Sequence, residues 1–243
     1  MSYDKAVKHV AIVGTGVIGA SWAAQYLACG LDVVAHDPAP NAEAALRKYV
    51  DDAWELLTDI GLAPGASRDR LSFSTDLKEA LSAADFVQEN GPERPDFKIK
   101  LFADIDEATP PDSIIASSSS GLTMTVIQSG CKHPERCVIG HPFNPPHIIP
   151  LVEVVGGDKT SSEVIHQAMA FYASLGKKPI HLHKALVGHV ANLLAHFGET
   201  LRAGQIIIAG SITPPIWVVP GETIGFHLEP LQPISINFAP DPQ

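Results

Sequence analysis

The chain is short of the residues that several functional classes require. Its three cysteines, Cys29, Cys131 and Cys137, are too few to staple 243 residues into a disulfide scaffold, so a reducing compartment, the cytoplasm, is expected. No apolar run approaches the ~20 residues of a membrane-spanning helix. The N-terminus enters an apolar strand within its first ten residues, so no secretory leader is expected. The ending Asp241-Pro242-Gln243 is not a peroxisomal address. Cations are scarce too: 17 Lys and Arg stand against 27 Asp and Glu, a net charge of -10. That balance excludes nucleic acid and anionic membrane as main partners. It leaves room for an anionic cofactor, because a helix N-terminus holds phosphate without help from net charge.

What the chain has is apolar content, 45%, enough for a core. Lys8 to Val13 reads as a short strand. It runs into Gly14-Thr15-Gly16-Val17-Ile18-Gly19, then into a helix from Ala20 to Cys29, closed by Gly30. Leu31 to His36 is a second strand that ends at Asp37. In this order Gly14 permits a tight turn, Gly16 lets the backbone approach a pyrophosphate, and Gly19 lets the helix pack close to the strand. Asp37 would accept hydrogen bonds from the adenosine ribose and repel a 2′-phosphate, which favours NAD over NADP.

Ala42 to Ile60 is amphipathic, with Leu46, Tyr49, Val50, Ala53, Leu57 and Ile60 on one face. A polar loop follows to about Asp69. Asp76 caps a short helix through Ala83, and Asp85 to Gln88 is a strand. Asp96 to Ala108 is helical, Ser113 to Ala116 a strand. Later, Thr160 starts a helix with Val164, Ile165, Ala168, Phe171, Tyr172 and Leu175 facing the core, and Lys178 to Leu182 is a last strand. Ala185 to about Leu201 reads as a helix. Alternating strands and helices predict a mostly parallel sheet covered on both faces, with ligands beyond the carboxyl ends of the strands.

The segment Ile114 to Gly157 gathers the polar groups of most interest. The serine tract 117–120 lies at the end of a strand. His141 follows the apolar run Cys137 to Gly140, in a loop stiffened by Pro142, Pro145 and Pro146. Glu153 sits inside Leu151-Val152-Glu153-Val154-Val155, a buried strand, where a lone carboxylate must be paired or neutralised. Its available partner is His141. Bonded to one ring nitrogen, Glu153 would fix the tautomer and raise the basicity of the other. The residues alone equally allow His141 to cap a turn while Glu153 faces water. Cys131, His133 and Cys137 lie close together but lack a fourth partner, so a surface loop is the better reading than zinc. His181, His183, His189 and His196 could take a metal adventitiously; no functional metal is expected. Beyond about Gly204 the chain is apolar and interrupted by proline, with no helical period.

Together these residues resemble the 3-hydroxyacyl-CoA dehydrogenase family over about Lys8 to Asn192. Gly14, Gly16, Gly19 and Asp37 match the cofactor fingerprint. Glu93 and Lys98 match the acid and lysine that in this family approach the nicotinamide. Ser120 in Ser-Ser-Gly-Leu matches the substrate serine, His141 and Glu153 the catalytic pair, and Asn144 the Asn-Pro turn. Asn192 matches the asparagine that opens the second domain's long helix. His-Pro-Phe-Asn-Pro-Pro, followed by Ile-Pro-Leu-Val-Glu-Val-Val-Gly-Gly, is similar to the branch of carnitine dehydrogenase and lambda-crystallin (L-gulonate 3-dehydrogenase).

The resemblance implies a Rossmann-type doubly wound α/β domain, residues 1–184, that binds NAD. It also implies hydride transfer from C3 of a small 3-hydroxy acid, or of a 3-hydroxyacyl-CoA. His141 would be the general base and Glu153 its orienter, with Ser120 and Asn192 on the reacting oxygen. Few basic residues are available to grip a CoA phosphate, which favours the free acid. The family continues into a helical domain that closes the site and makes a homodimer. Here Leu193 replaces a usual arginine and the helical pattern fades. Residues 185–243 are therefore expected to be a remnant, one helix and an irregular tail, that does not support that dimer. A competing reading is an NAD-binding relative that has lost turnover. A 3-hydroxyisobutyrate-type enzyme would need a lysine on the later helix, and Lys184 precedes it.

Overall fold

The computed structural model describes residues 6–182, 223–226 and 234–237. The chain forms two compact units, Met1–Gln205 and Ile206–Gln243. In the first, strands and helices alternate: β1 (His9–Val13), α1 (Val17–Ala28), β2 (Asp32–His36), α2 (Ala42–Ile60), β3 (Leu71–Ser74) and α3 (Leu77–Leu81). Next come β4 (Phe86–Glu89), α4 (Pro95–Ala108), β5 (Ile114–Ser117), α5 (Met124–Ile127), β6 (Cys137–Pro142), β7 (Leu151–Gly156), α6 (Ser162–Ser174) and β8 (Lys178–Leu182). They make one eight-stranded sheet in the order β3-β2-β1-β4-β5-β6-β7-β8. The strands from β3 to β6 are parallel. β7 runs antiparallel to β6, and β8 parallel to β7. Order reverses at β1, so a crevice opens there at the carboxyl edge, where doubly wound sheets bind nucleotides.

Alternation along the strands builds the core on both faces. Val10, Ile12, Phe86, Ile114, Ala116 and Val138 pack on one side with α1, α2 and α6. Ala11, Val13, Val87, Ile115, Cys137 and Ile139 pack on the other with α3, α4 and α5. This is the two-residue period of a strand read twice, as a sheet buried on both faces requires. Helix α1 is buried from Gly19 to Ala28 on all sides. Its alanines and Gly19 make it thin enough to fit between the sheet and α2. Helix α2 buries Leu46, Val50, Ala53 and Leu57, the expected face. Ile60 departs from it at 60% exposure, because the last turn runs past the core.

Four local details differ from the sequence expectations. Helix α1 begins at Val17, directly after Gly16, rather than at Ala20. Strand β3 falls just beyond the stretch read as loop, and its two serines suit an edge position. Ser161, not Thr160, caps α6, its side chain accepting from Val164 N. His141 belongs to β6 and not to the loop after it. Strand β6 outruns β5, whose pairing stops at Ile139, so Pro142 lies where β7 alone is alongside and its missing amide is not needed. In the second unit the described residues form an antiparallel pair, β9 (Thr223–Phe226) with β10 (Ile234–Asn237). The helix expected over 185–201 lies outside the described residues.

Candidate active site

The glycine turn joins β1 to α1 at the crevice. Gly14 has φ of 87°, a left-handed conformation that favours glycine, and its amide donates to His36 O at 2.8 Å. A Cβ on Gly19 would sit 1.9 Å from Gly14 O, whereas one on Gly16 would meet nothing within 4 Å. The turn is thus closed where helix meets strand and open where α1 presents its first amides. Asp37 follows β2. Its Oδ2 accepts from Thr15 N at 2.8 Å and Thr15 Oγ1 at 3.1 Å, and its Oδ1 from Ala39 N at 2.9 Å. Burial pushes this carboxyl up, but the bonds from Thr15 and Ala39, with His36 nearby, outweigh it and hold it below the usual range. Beside it opens a cleft of about 540 Å³ lined by Pro38, Ala39, Asn41, Arg47, Phe73 and Thr75. An open approach at a helix N-terminus, next to a fixed carboxylate and a shallow cleft, fits a dinucleotide.

Beyond β4 and β5 lies a buried ionic cluster. Lys98 Nζ donates to both oxygens of Glu89 at 2.8 Å, and both side chains are 0% exposed. Glu89 also accepts from Ser117 Oγ at 2.6 Å and Gly91 N at 2.6 Å. Glu93 stands 3.8 Å from Lys98 Nζ, and its Oε1 accepts from Ser119 Oγ at 2.5 Å, Gly121 N at 2.8 Å and Leu122 N at 3.1 Å. One carboxylate oxygen therefore holds residues on both sides of Ser120, whose own side chain is left exposed. Burial raises the Glu93 carboxyl, but the bonds from Ser119 and Gly121, together with Lys98, bring it below its ordinary value. The structure thus brings Glu93 and Lys98 together, but the Lys98 ammonium faces Glu89 and has no open surface.

His141 and Glu153 are direct cross-strand partners on antiparallel β6 and β7. His141 Nδ1 lies 2.9 Å from Glu153 Oε2, with side chains 15% and 7% exposed. With the carboxylate as acceptor the ring proton sits on Nδ1, and Nε2 keeps a free lone pair. Both residues line a cleft of about 440 Å³ together with Ser120, Thr123, Asp158 and Leu182. Because β5 and β6 are parallel, and β7 begins where β6 ends, the His141, Glu153 and Ser120 end of the cleft lies at the same edge of the sheet as the glycine turn, and the cleft runs from there toward Gly156 and Asp158.

The loop from β6 to β7 is anchored by residues that sequence reasoning passed over. Ser21 Oγ accepts from His147 N at 3.0 Å and meets His147 Nδ1 at 2.7 Å. Burial, aided by the charge of Lys177, lowers the His147 pKa and keeps the ring neutral. Lys177 Nζ donates to Pro146 O and to Ile149 O, 5.9 Å above the Trp22 ring. Asn144 is exposed in this loop. Gln88, fully buried on β4, accepts from Tyr26 and Tyr172 and donates to Ser118 Oγ at 2.9 Å and Gly140 O at 3.3 Å, next to His141. Glu89 was also missed. Its signal was present: Lys98, Phe102 and Ile105 share the core face of α4, so the lysine required a buried acid. Asn192 lies outside the described residues. Among the described residues no helix is long and apolar enough to cross a membrane.

Residues 9–185 match the family described as 3-hydroxyacyl-CoA dehydrogenase, NAD binding domain. The chain is 52% identical over 194 residues to an L-carnitine dehydrogenase of Pseudomonas putida, covering 80% of this chain and 60% of that protein. It is 51% identical over 233 residues to an L-carnitine dehydrogenase of Streptomyces griseus, covering 91% of this chain, and so reaching beyond Asn192, and 70% of that protein. The solved 3-hydroxybutyryl-CoA dehydrogenase of Escherichia coli is 32% identical with a TM-score of 0.70, covering 79% of this chain and 41% of that one. The chain spans about 60% of the length of the Pseudomonas relatives it matches. On this match and this fold, the chain belongs to the 3-hydroxyacyl-CoA dehydrogenase family and carries its NAD-binding domain as a Rossmann-type, mostly parallel α/β sheet.

Proposed function

We propose that the chain oxidises the 3-hydroxyl of a small 3-hydroxy acid of the carnitine type. Residues 1–184 act as the NAD domain and residues 185–243 as a remnant of the helical second domain. The observation that carries this reading is the His141 Nδ1 to Glu153 Oε2 contact of 2.9 Å, inside a cleft shared with Ser120 and at the edge of the glycine turn. NAD, when bound, supplies the hydride acceptor. Gly14, Gly16 and Gly19 shape the pyrophosphate approach, and Asp37 holds the adenosine ribose. His141 Nε2 takes the hydroxyl proton, and Glu153 holds the ring and offsets the charge it gains. Ser120, presented by the Glu93 bonds to its neighbours, donates to the substrate oxygen as charge develops there. Lys98 acts from below, fixing Glu89 and Glu93. Asn192 is assigned to the same oxygen on the family motif alone.

No lysine or arginine lines the described part of the cleft, and Asp158 does. That favours a small zwitterionic or cationic hydroxy acid over a polyanionic CoA ester. The relatives named L-carnitine dehydrogenase support the same substrate class. The test is NADH formation by the full chain with L-carnitine, L-gulonate, 3-hydroxybutyrate and 3-hydroxybutyryl-CoA. Turnover highest with carnitine is expected. Turnover only with the CoA ester would overturn the substrate class, and NAD binding with no turnover would leave a nucleotide-binding protein.

A further inference from the structure

Two of the three thiols face one another at a place the dehydrogenase reading does not use. Cys131 Sγ and Cys137 Sγ are 3.8 Å apart. Cys137 is fully buried at the amino end of β6, and Cys131 is half-buried in the turn before it. His141 lies at the other end of β6, so the pair is separated by the length of the strand from the His141–Glu153 contact. Cys29 packs with the core on the opposite face of the sheet and is no competitor.

The backbone around both thiols is fixed. Cys137 pairs with Ile115 across the sheet, and its carbonyl accepts from Thr160 Oγ1 at 2.6 Å. The intervening turn is tied to one buried carboxylate. Asp106 Oδ2 accepts from Lys132 N at 2.7 Å and His133 N at 3.0 Å, while Asp106 Oδ1 receives Arg136 at 2.9 Å. A disulfide needs the sulfurs at ~2.05 Å, so closure asks for a shift of less than about 2 Å, within reach of a side-chain rotation at Cys131.

We propose that Cys131 and Cys137 are a modification site, a thiol pair that closes to a reversible disulfide on exposure to a peroxide. Cys131, the accessible member, attacks the peroxide O–O bond as thiolate, gaining S–OH and releasing water. The Cys137 sulfur then attacks the Cys131 sulfur, the S–O bond breaks, and a second water leaves. Two thiols are oxidised by two electrons, and one peroxide is reduced to two waters. A dithiol reductant returns both thiols by exchange. Cys137 fits the second role: hydrogen bonding to Cys131, and then burial, push its thiol well above the ordinary range, so it is not the first nucleophile.

The test treats the full native chain with a few equivalents of hydrogen peroxide, then alkylates it under denaturing conditions. Trypsin cuts after Lys132 and Arg136, between the two cysteines, so their peptides stay joined only through a disulfide. Expected are an intact mass lower by about 2 Da before alkylation and, after it, a linked Cys131–Cys137 peptide pair with alkylated Cys29; dithiothreitol reverses the mass loss and the link. In Cys131→Ser, Cys137 should remain a thiol at the same dose. Cys131 carried to sulfinic acid, about 32 Da heavier, with Cys137 still free, would overturn the proposal. A link through Cys29, or three unreacted thiols, would do the same.

Discussion

Lys98→Met tests the buried cluster beneath the serine tract. Lys98 and Glu89 are both 0% exposed and doubly bonded at 2.8 Å. Removing one member of such a pair leaves a buried charge uncompensated, at a cost of ~3–5 kcal/mol. Glu89 keeps two donors, Ser117 Oγ and Gly91 N, each at 2.6 Å, which points to the lower end, ~3 kcal/mol. In a unit of this size ~1 kcal/mol moves Tm by ~2–4 °C, so a fall of about 6–12 °C is expected. Adding Glu89→Gln removes the stranded charge while keeping an acceptor for Gly91 N, with the Ser117 hydroxyl free to turn and accept from the amide, and should recover more than half of the loss. Urea unfolding followed by tryptophan fluorescence on wild type, both single variants and the double variant closes the cycle. A cost below about 1 kcal/mol for Lys98→Met would refute the argument and return the ammonium to the cofactor side of the cleft.

The glycine turn predicts opposite behaviour at two positions. Gly16→Val should fold normally, since its Cβ meets nothing within 4 Å, yet lose at least about tenfold in NAD affinity by calorimetry; Gly19→Ala, 1.9 Å from Gly14 O, should lose ~1–3 kcal/mol of stability. Asp37→Ala should weaken NAD by roughly 10–100-fold, the worth of hydrogen bonds to a charged acceptor, and erase preference over NADP. Equal wild-type affinity for the two would remove Asp37 from ribose recognition. Lys177 carries a pH signature: burial lowers its pKa to about 8, below an unfolded value of ~10.4. Between these values the unfolded chain holds more protons, so this group makes stability rise with pH. The stability difference between wild type and Lys177→Met should therefore increase from about pH 8 to 10, and a flat difference would mean the amine titrates like a free one.

Much of the fold was legible because its signals are local. The order of strand, glycine turn, helix, strand and acid lies within Lys8 to Asp37, and the α2 face repeats at helical spacing. Glu153 advertised itself as a carboxylate in an apolar strand, and the cross-strand register with His141 answers its need for a partner. Contacts set by the sheet were harder to read. Lys98 was seen as a site residue on α4, yet its partner Glu89 is the last residue of β4, and only the packing of that helix against the sheet brings the two together. The reach of Glu93 to Ser119, Gly121 and Leu122 depends on β4 and β5 lying side by side. Lys177, in the turn after α6, and Ser21, on α1, meet the β6–β7 loop from far away in sequence. Strand β3 escaped because an edge strand needs only one fully buried residue, Leu71.

The measurement that bears most directly on the central claim is the rate of NADH formation from L-carnitine by His141→Ala, at saturating NAD, beside calorimetric NAD binding by the same variant. The account predicts a kcat lower by about 10²–10⁴-fold, the usual worth of a general base, with NAD affinity within about twofold of wild type. An unchanged kcat would contradict the assignment of His141 as the base and, with it, the pairing with Glu153 as the chemical centre of the cleft.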